Sequence, residues 1–326
     1  MLRRVTDVRK GVLYGIAAYG IWGLFPLYWP LLKPAQAFEI LAHRIIWSLL
    51  VVMVLLAVMR HWSWVRSLTW KQVGLLALAA VVVSVNWGMY IYGVNAGHTI
   101  ETSLGYFINP LISIVLGVLV FRERLRRTQW FAVGLGALAV IVLTADYGRL
   151  PWIALVLACS FGSYGLLKKF ANTPSAESLT IETAVLFVPA LAFTLTLHAQ
   201  GKATFGHAGT LQAVLLIGGG LITAIPLMMF NGAAIRLPMS AIGMLQYLAP
   251  TLQFLIGLLV QHERMPASRW IGFLLVWCAL MVLTGDGWRA GVASARLRAR
   301  SVPEVGGAVW TQEPKPGATQ PVRETT

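Results

Sequence analysis

Apolar runs of about 17 to 24 residues follow one another along most of the chain, and each ends at a short cluster of polar, proline or basic positions. A run of that length makes a helix able to cross a hydrocarbon core of about 30 Å. No water-soluble core needs so many. The pattern predicts ten spans, at 11–32, 39–59, 73–94, 98–120, 129–145, 151–169, 178–198, 211–230, 239–261 and 268–287. The loops between them stay at about 15 residues or fewer, too short for a folded domain outside the membrane. The fold class expected is an all-α membrane protein.

Composition agrees: 57% of the 326 residues are apolar and only 12% are charged, about half the share of an average soluble domain. The net charge of +14 would suggest nucleic acid in a soluble protein, but its distribution gives another cause. With a cytoplasmic N-terminus, 20 of the 26 Lys and Arg fall on the cytoplasmic side and 5 on the other, with Arg44 alone inside a span. That is the positive-inside pattern, and it places both termini in the cytoplasm. The basic residues then face anionic lipid, leaving no nucleic-acid partner to invoke. The first apolar run, about 22 residues, exceeds the 7 to 15 of a cleavable signal, so it is read as a span despite "AQA" at 35–37. Cys159 and Cys278 are isolated and mid-span, and are read as packing residues.

A slide of 140 positions lays Pro110 on Pro250, Gly117 on Gly257, Glu123 on Glu263, Arg124 on Arg264, Trp130 on Trp270 and Asp146 on Asp286. A slide of 142 lays Gly20 and Gly23 on Gly162 and Gly165. The chain therefore reads as two five-helix repeats, 11–145 and 151–287, followed by a disordered cytoplasmic tail at 288–326 rich in Arg, Pro, Gly, Thr and Glu. An odd number of spans per repeat makes the second copy enter from the opposite face. Inverted repeats are characteristic of secondary transporters, whose substrate site lies near the midplane between the halves.

Candidate chemistry collects at that depth. Pro110 and Pro250 lack an N–H, so the carbonyls of Tyr106 and Gln246 lose their helical partners about 18 Å into their spans. The stretches "LGYFINP" and "LQYLAP" are expected to be helix breaks lining a wet cavity, with Tyr106, Asn109, Gln246 and Tyr247 on its walls. Arg44 is a permanent charge inside the second span and requires a partner or water. The second and fourth spans both descend from the outside, so Arg44 and Glu101 are expected to be neighbours, while Glu182 is level with Lys168. Asn86 and Tyr90 share a helix face with Trp87 adjoining, and His43 and Trp47 repeat that i, i+4 spacing. Arg44 would hold the anionic part of a substrate, or Glu101 or Glu182 would carry a coupling proton. Helix-holding ion pairs are the structural alternative for both. The glycines 11, 15, 20, 23 and 218–220 read as close-packing surfaces between helices. No metal, cofactor or nucleophile motif is found.

The segments "EILAHR" (39–44), "NWGMYIYGVNAGHTIETSLGYFINPL" (86–111) and "GMLQYLAPTLQFL" (243–255) resemble the RarD, or chloramphenicol-sensitive, proteins. These are a branch of the EamA permeases in the drug/metabolite transporter superfamily. The resemblance covers about residues 10–287. It implies ten helices in two inverted halves around a central cavity, and an inner-membrane permease that moves metabolites or drug-like compounds by alternating access. Substrate, direction and coupling are not implied, and the tail has no counterpart. The expected partners are a small-molecule substrate and membrane lipid, with a homodimer left open. An uncoupled facilitator is the rival within transport. A lipid-modifying membrane enzyme and a non-transporting sensor are the rivals outside it.

Overall fold

The structure, a computed structural model, describes residues 2–58, 62–122, 124–173, 175–234, 236–237 and 239–300. Glu123 and the tail at 301–326 lie outside them. The described residues form helices and turns: α1 (Leu2–Gly23), α2 (Phe25–Tyr28), α3 (Ala37–Val58), α4 (Trp70–Asn95), α5 (Thr99–Phe121), α6 (Arg127–Tyr147), α7 (Trp152–Ala171), α8 (Ser175–Ala199), α9 (Thr210–Ala234), α10 (Met239–Leu245), α11 (Leu248–Leu255) and α12 (Ala267–Arg300). Nine helical segments among them are long and apolar enough to cross a membrane. Exposed Leu138, Ile141, Val188 and Leu195 are what such helices turn toward lipid. The chain is an all-α, multi-pass membrane protein.

Two spans are not single helices. The first is interrupted after Gly23 and finishes as α2 and a 3₁₀ turn, Trp29–Leu32, because Pro26 and Pro30 each withhold a backbone donor. The ninth, expected at 239–261, is three pieces: α10, α11 and a π-helical turn at Ile256–Val260. The chain breaks at Gln246 and Tyr247. Pro250 therefore falls in the first turn of α11, where its missing N–H would have had no helical partner anyway. Pro110 behaves differently, lying inside the unbroken helix α5. The expected break at "LGYFINP" is thus corrected to a continuous helix.

Helix pairings come in matched sets. α4 packs on α7 as α9 packs on α1, α5 on α7 as α11 on α1, and α3 on α9 as α8 on α4. α3 also meets α8, and α5 meets α11. Exchanging the first five spans for the last five maps each pairing onto another in the set or onto itself.

Close crossings rest on glycine. A Cβ on Gly105 would stand 2.8 Å from the carbonyl oxygen of Ala154, and one on Gly220 would stand 2.5 Å from the carbonyl carbon of Trp47. Backbone cannot yield to a methyl group as a side-chain tip can, so these sites admit no larger residue at the same helix spacing.

Two expectations change here. α12 continues to Arg300, so residues 288–300 are helical where disorder was expected; their Ala, Arg and Leu are strong helix formers. Cys159 and Cys278 are unpaired and exposed. They lie on outward faces rather than in the packing.

Candidate functional site

The centre of the candidate site is Arg44, on α3, with only 4% of its surface exposed. Its Nε donates to Thr223 Oγ1 of α9 at 2.8 Å. The guanidinium lies 4.0 Å from the ring centre of Trp87, 5.4 Å from Trp29 and 5.7 Å from Phe25. All three distances are within the range at which a ring's quadrupole attracts a cation. Tyr90 and Tyr106 lie within its electrostatic reach.

The sequence places these groups together by helical spacing. Asn86, Trp87 and Tyr90 occupy adjoining positions on α4, and Tyr106 reaches across from α5. The Tyr106 hydroxyl donates to Asn86 Oδ1 at 3.1 Å. The Asn86 amide donates to Leu157 O and Ser160 Oγ of α7, each at 3.0 Å. Tyr90 and Tyr106 meet edge to face at 5.6 Å. His43 and Trp47 share the neighbouring face of α3, both against Phe205, at 4.6 and 6.2 Å between ring centres.

Asn109 stands one turn beyond Tyr106 on α5. Its Oδ1 is buried without a hydrogen-bond partner among the described residues and lies 3.5 Å from the place a Gly162 Cβ would take. A crevice of about 250 Å³ opens beside it, lined from α5 by Ser113, Leu116 and Gly117 and from α7 by Gly162, Gly165 and Lys169 among others. The remaining predicted residues lie apart. Gln246 and Tyr247 form the break between α10 and α11, and Tyr247 packs against the cluster containing Phe107, Phe254 and Phe273.

The expected Arg44–Glu101 contact is overturned. Glu101, 1% exposed, is held by Arg149 at 2.9 Å and by the N–H of Ile153 at 3.2 Å. Equal depth did not mean equal azimuth. Glu182, also 1% exposed, does meet Lys168 at 2.9 Å, and it accepts as well from Ser178 and Tyr164.

Three important residues escaped the sequence reading. Glu39 is buried and accepts from the N–H groups of Thr204 and Phe205; its i, i+4 spacing from His43 was the available signal. Thr223 carried none. Glu263 was found as a repeat marker only, yet its carboxylate accepts from the N–H of Thr99 at 2.5 Å and of Ile100 at 3.0 Å, at the N-terminus of α5.

Burial raises the Glu263 pKa above the usual carboxylate range, against the lowering effect of those backbone donors, the Thr99 hydroxyl and Arg269. A carboxyl raised on folding favours the folded state most below its unfolded value and loses that contribution as pH climbs through the folded one. The melting midpoint in detergent is therefore expected to carry a component that falls as pH rises above about 4.3. Glu263→Gln should remove it. Parallel pH profiles for the two proteins would contradict this.

Comparison with known proteins accords with this architecture. The sequence pattern of the EamA-like transporter family matches residues 9–145. The chain is 57% identical over 301 residues to Protein RarD of Streptomyces exfoliatus, covering 91% of this chain and 96% of that one. It is 44% identical to the uncharacterized transporter YojE of Bacillus subtilis, covering 86% and 95%. It is 40% identical to Protein RarD of Escherichia coli, again covering 86% and 95%. A solved crystal structure at 18% identity superposes with a TM-score of 0.56 over 86% of this chain and 98% of that chain, a likeness of fold alone. Near-complete coverage at such identities settles the affiliation: the chain belongs to the RarD group of the EamA-like transporter family, within the drug/metabolite transporter superfamily.

Proposed function

We propose that this small-molecule transporter is an inner-membrane permease for a small organic solute. In this reading two inverted five-helix repeats, 11–145 and 151–287, present a mid-membrane site to each side in turn. The observation that carries it is the group around Arg44. A buried guanidinium, an amide, a tryptophan and two tyrosines gather from three helices of the first half, and the guanidinium meets Thr223 of the second. A charged side chain at that depth is costly and marks a functional site, and aromatic walls with a few polar groups suit an organic solute. The matched helix pairings support the repeat, since they interchange when the halves are exchanged, and the odd number of spans per repeat is what inverts it. The distribution of basic residues supports cytoplasmic termini.

Polar links join the halves at both ends of the bundle. Glu263 binds the start of α5, Gln261 donates to Pro26 O, Glu39 binds Thr204 and Phe205, and Asp146 accepts from Ser268 and Arg269. All of these belong to the loop ends assigned to the outside, while at the inner end Asp286 accepts from Arg126 and Thr128, and Gln72 donates to Ala171 O. The crevice between α5 and α7 lies toward that inner end. We read transport as the making and breaking of the outer and inner sets in turn.

Glu101 is tied to Arg149 and a backbone donor, whereas Glu182 shares its carboxylate with Lys168, Ser178 and Tyr164. Glu182 is the better placed of the two for proton coupling, because Lys168 can hold the carboxylate or release it. The Arg44 group is complete within one chain, so the proposal does not draw on a homodimer.

Uptake into proteoliposomes with amino acids, aromatic metabolites and chloramphenicol, with and without a proton gradient, tests the reading. Saturable flux above that of empty liposomes is expected for at least one compound. Accumulation against a concentration gradient only under ΔpH would exclude the uncoupled facilitator. Flux equal to that of empty liposomes across the panel would remove the transport claim for these compounds.

A further inference from the structure

We propose that the Arg44 centre binds the anionic group of an aromatic carboxylate. The inference rests on the permease reading and specifies its cargo.

Charge is the first argument. A buried guanidinium loses several kcal/mol of hydration unless an anion replaces it. Among the described residues the other buried carboxylates are engaged elsewhere: Glu101 by Arg149, Glu182 by Lys168, Glu39 by two backbone N–H groups. Among the described residues Arg44 meets only the neutral hydroxyl of Thr223 and the faces of rings. An arginine whose task was to tie α3 to α9 would be expected to meet a carboxylate or a helix-end carbonyl. A hydroxyl and three rings hold it in place without neutralising it.

The second argument is the imbalance of donors and acceptors. Trp29 Nε1, Ser48 Oγ and Tyr90 Oη are buried with no hydrogen-bond partner among the described residues, and their residues are 0%, 0% and 3% exposed. Trp29 is one of the rings against the guanidinium, Ser48 is one turn along α3 from Arg44, and Tyr90 feels its charge. All three can donate, and the indole can do nothing else. Buried polar groups in native proteins find partners with few exceptions. Two unanswered donors beside a cation, with a third one turn along its helix, call for a compact group of acceptors. A carboxylate supplies two oxygens with about four lone-pair sites and matches the guanidinium edge in a bidentate pair. A cationic cargo would leave every one of these donors unmet.

The third argument is shape. Phe25, Trp29 and Trp87 wall the guanidinium, and Tyr90 and Tyr106 stand edge to face beside it. Flat apolar walls converging on a charged point suit a planar body attached directly to the acid.

The test uses the purified full-length protein and two pairs of probes alike in shape but differing in charge: benzoate with benzamide, and phenylacetate with phenylacetamide. Intrinsic tryptophan fluorescence reads binding near Trp29 and Trp87, and the shift in melting midpoint checks it. The expected result is saturable binding of the acids with at least tenfold lower apparent Kd than the amides. Arg44→Gln should abolish that preference. Trp29→Phe, which keeps a ring and removes the N–H, should reduce it severalfold and carries the test should Arg44→Gln fail to fold. Equal affinity for acid and amide, no saturable binding of either acid to folded protein, or a preference that survives both substitutions would each overturn the proposal. Acid binding without flux in proteoliposomes would instead count against the permease reading alone. Flux of neutral compounds with no preference for acids would count against the carboxylate alone.

Discussion

Arg149→Ala is expected to destabilise the protein by about 3 kcal/mol, the lower end of the range for breaking a buried pair. The lower end applies because the Arg149 side chain is 38% exposed and screened in part, whereas Glu101 is at 1%. The cost arises on the Glu101 side, where the carboxylate would keep only the Ile153 N–H at 3.2 Å. Glu101→Gln should cost less, since an amide oxygen still accepts and no buried charge is stranded. A double-mutant cycle of Arg149→Ala with Glu101→Ala, followed by unfolding in mixed micelles, should give a coupling of about 1 to 3 kcal/mol. The same cycle with Arg44 in place of Arg149 should be additive within about 0.5 kcal/mol. Coupling of Glu101 to Arg44 instead would restore the pairing that span depth alone suggested. It would also remove the ground for treating Arg44 as a cation that awaits an external anion.

That contrast marks where the sequence stops being informative. Hydropathy and the count of residues from a span's end give a side chain's depth, one coordinate of three. Lys168 and Glu182 were placed level and do meet. Arg44 and Glu101 were placed level and do not, because helix rotation and the neighbour's identity are set by packing. Asn86, Trp87 and Tyr90 were legible as a group because helical periodicity alone joins them. Thr223 was not, because its approach to Arg44 depends on α3 and α9 crossing closely, a contact between residues 179 positions apart. Pro110 and Pro250 divide the same way. Both withhold a donor at equivalent positions of the repeat. In the second half the chain restarts just before its proline, at Leu248, while in the first half α5 runs through. The motif named the weakness in the backbone, and the surroundings decided whether it opened. The glycines at 218–220 were read as a packing surface, and the place of Gly219 and Gly220 against α3 gives that surface a role in the site.

Gly220→Val is accordingly expected to have one of the largest effects of any single substitution, about 3 kcal/mol or more of destabilisation. The Cβ alone would stand 2.5, 2.6 and 2.7 Å from the carbonyl carbon, Cβ and carbonyl oxygen of Trp47. Two of those three atoms are backbone, so relief requires α9 to move away from α3 as a body. Next in the chain, Gly219 has room for a Cβ only at 4.0 Å from the Arg44 Cα, and its carbonyl accepts from the Thr223 hydroxyl at 2.8 Å. Separating the helices would therefore draw Thr223 off the Arg44 Nε and leave the guanidinium without its hydrogen bond from the second half. A thermal midpoint measured in detergent should fall sharply for Gly220→Val. Gly134→Ala, where nothing lies within 4 Å of the new methyl group, should hold or gain a few tenths of a kcal/mol from helix propensity. Any folded Gly220→Val protein should also bind benzoate more weakly than wild type, because the displaced α9 no longer orients Arg44. Wild-type stability would show that the α3–α9 crossing is looser than drawn, and wild-type benzoate affinity in the folded variant would separate Arg44 from the glycine surface that positions it.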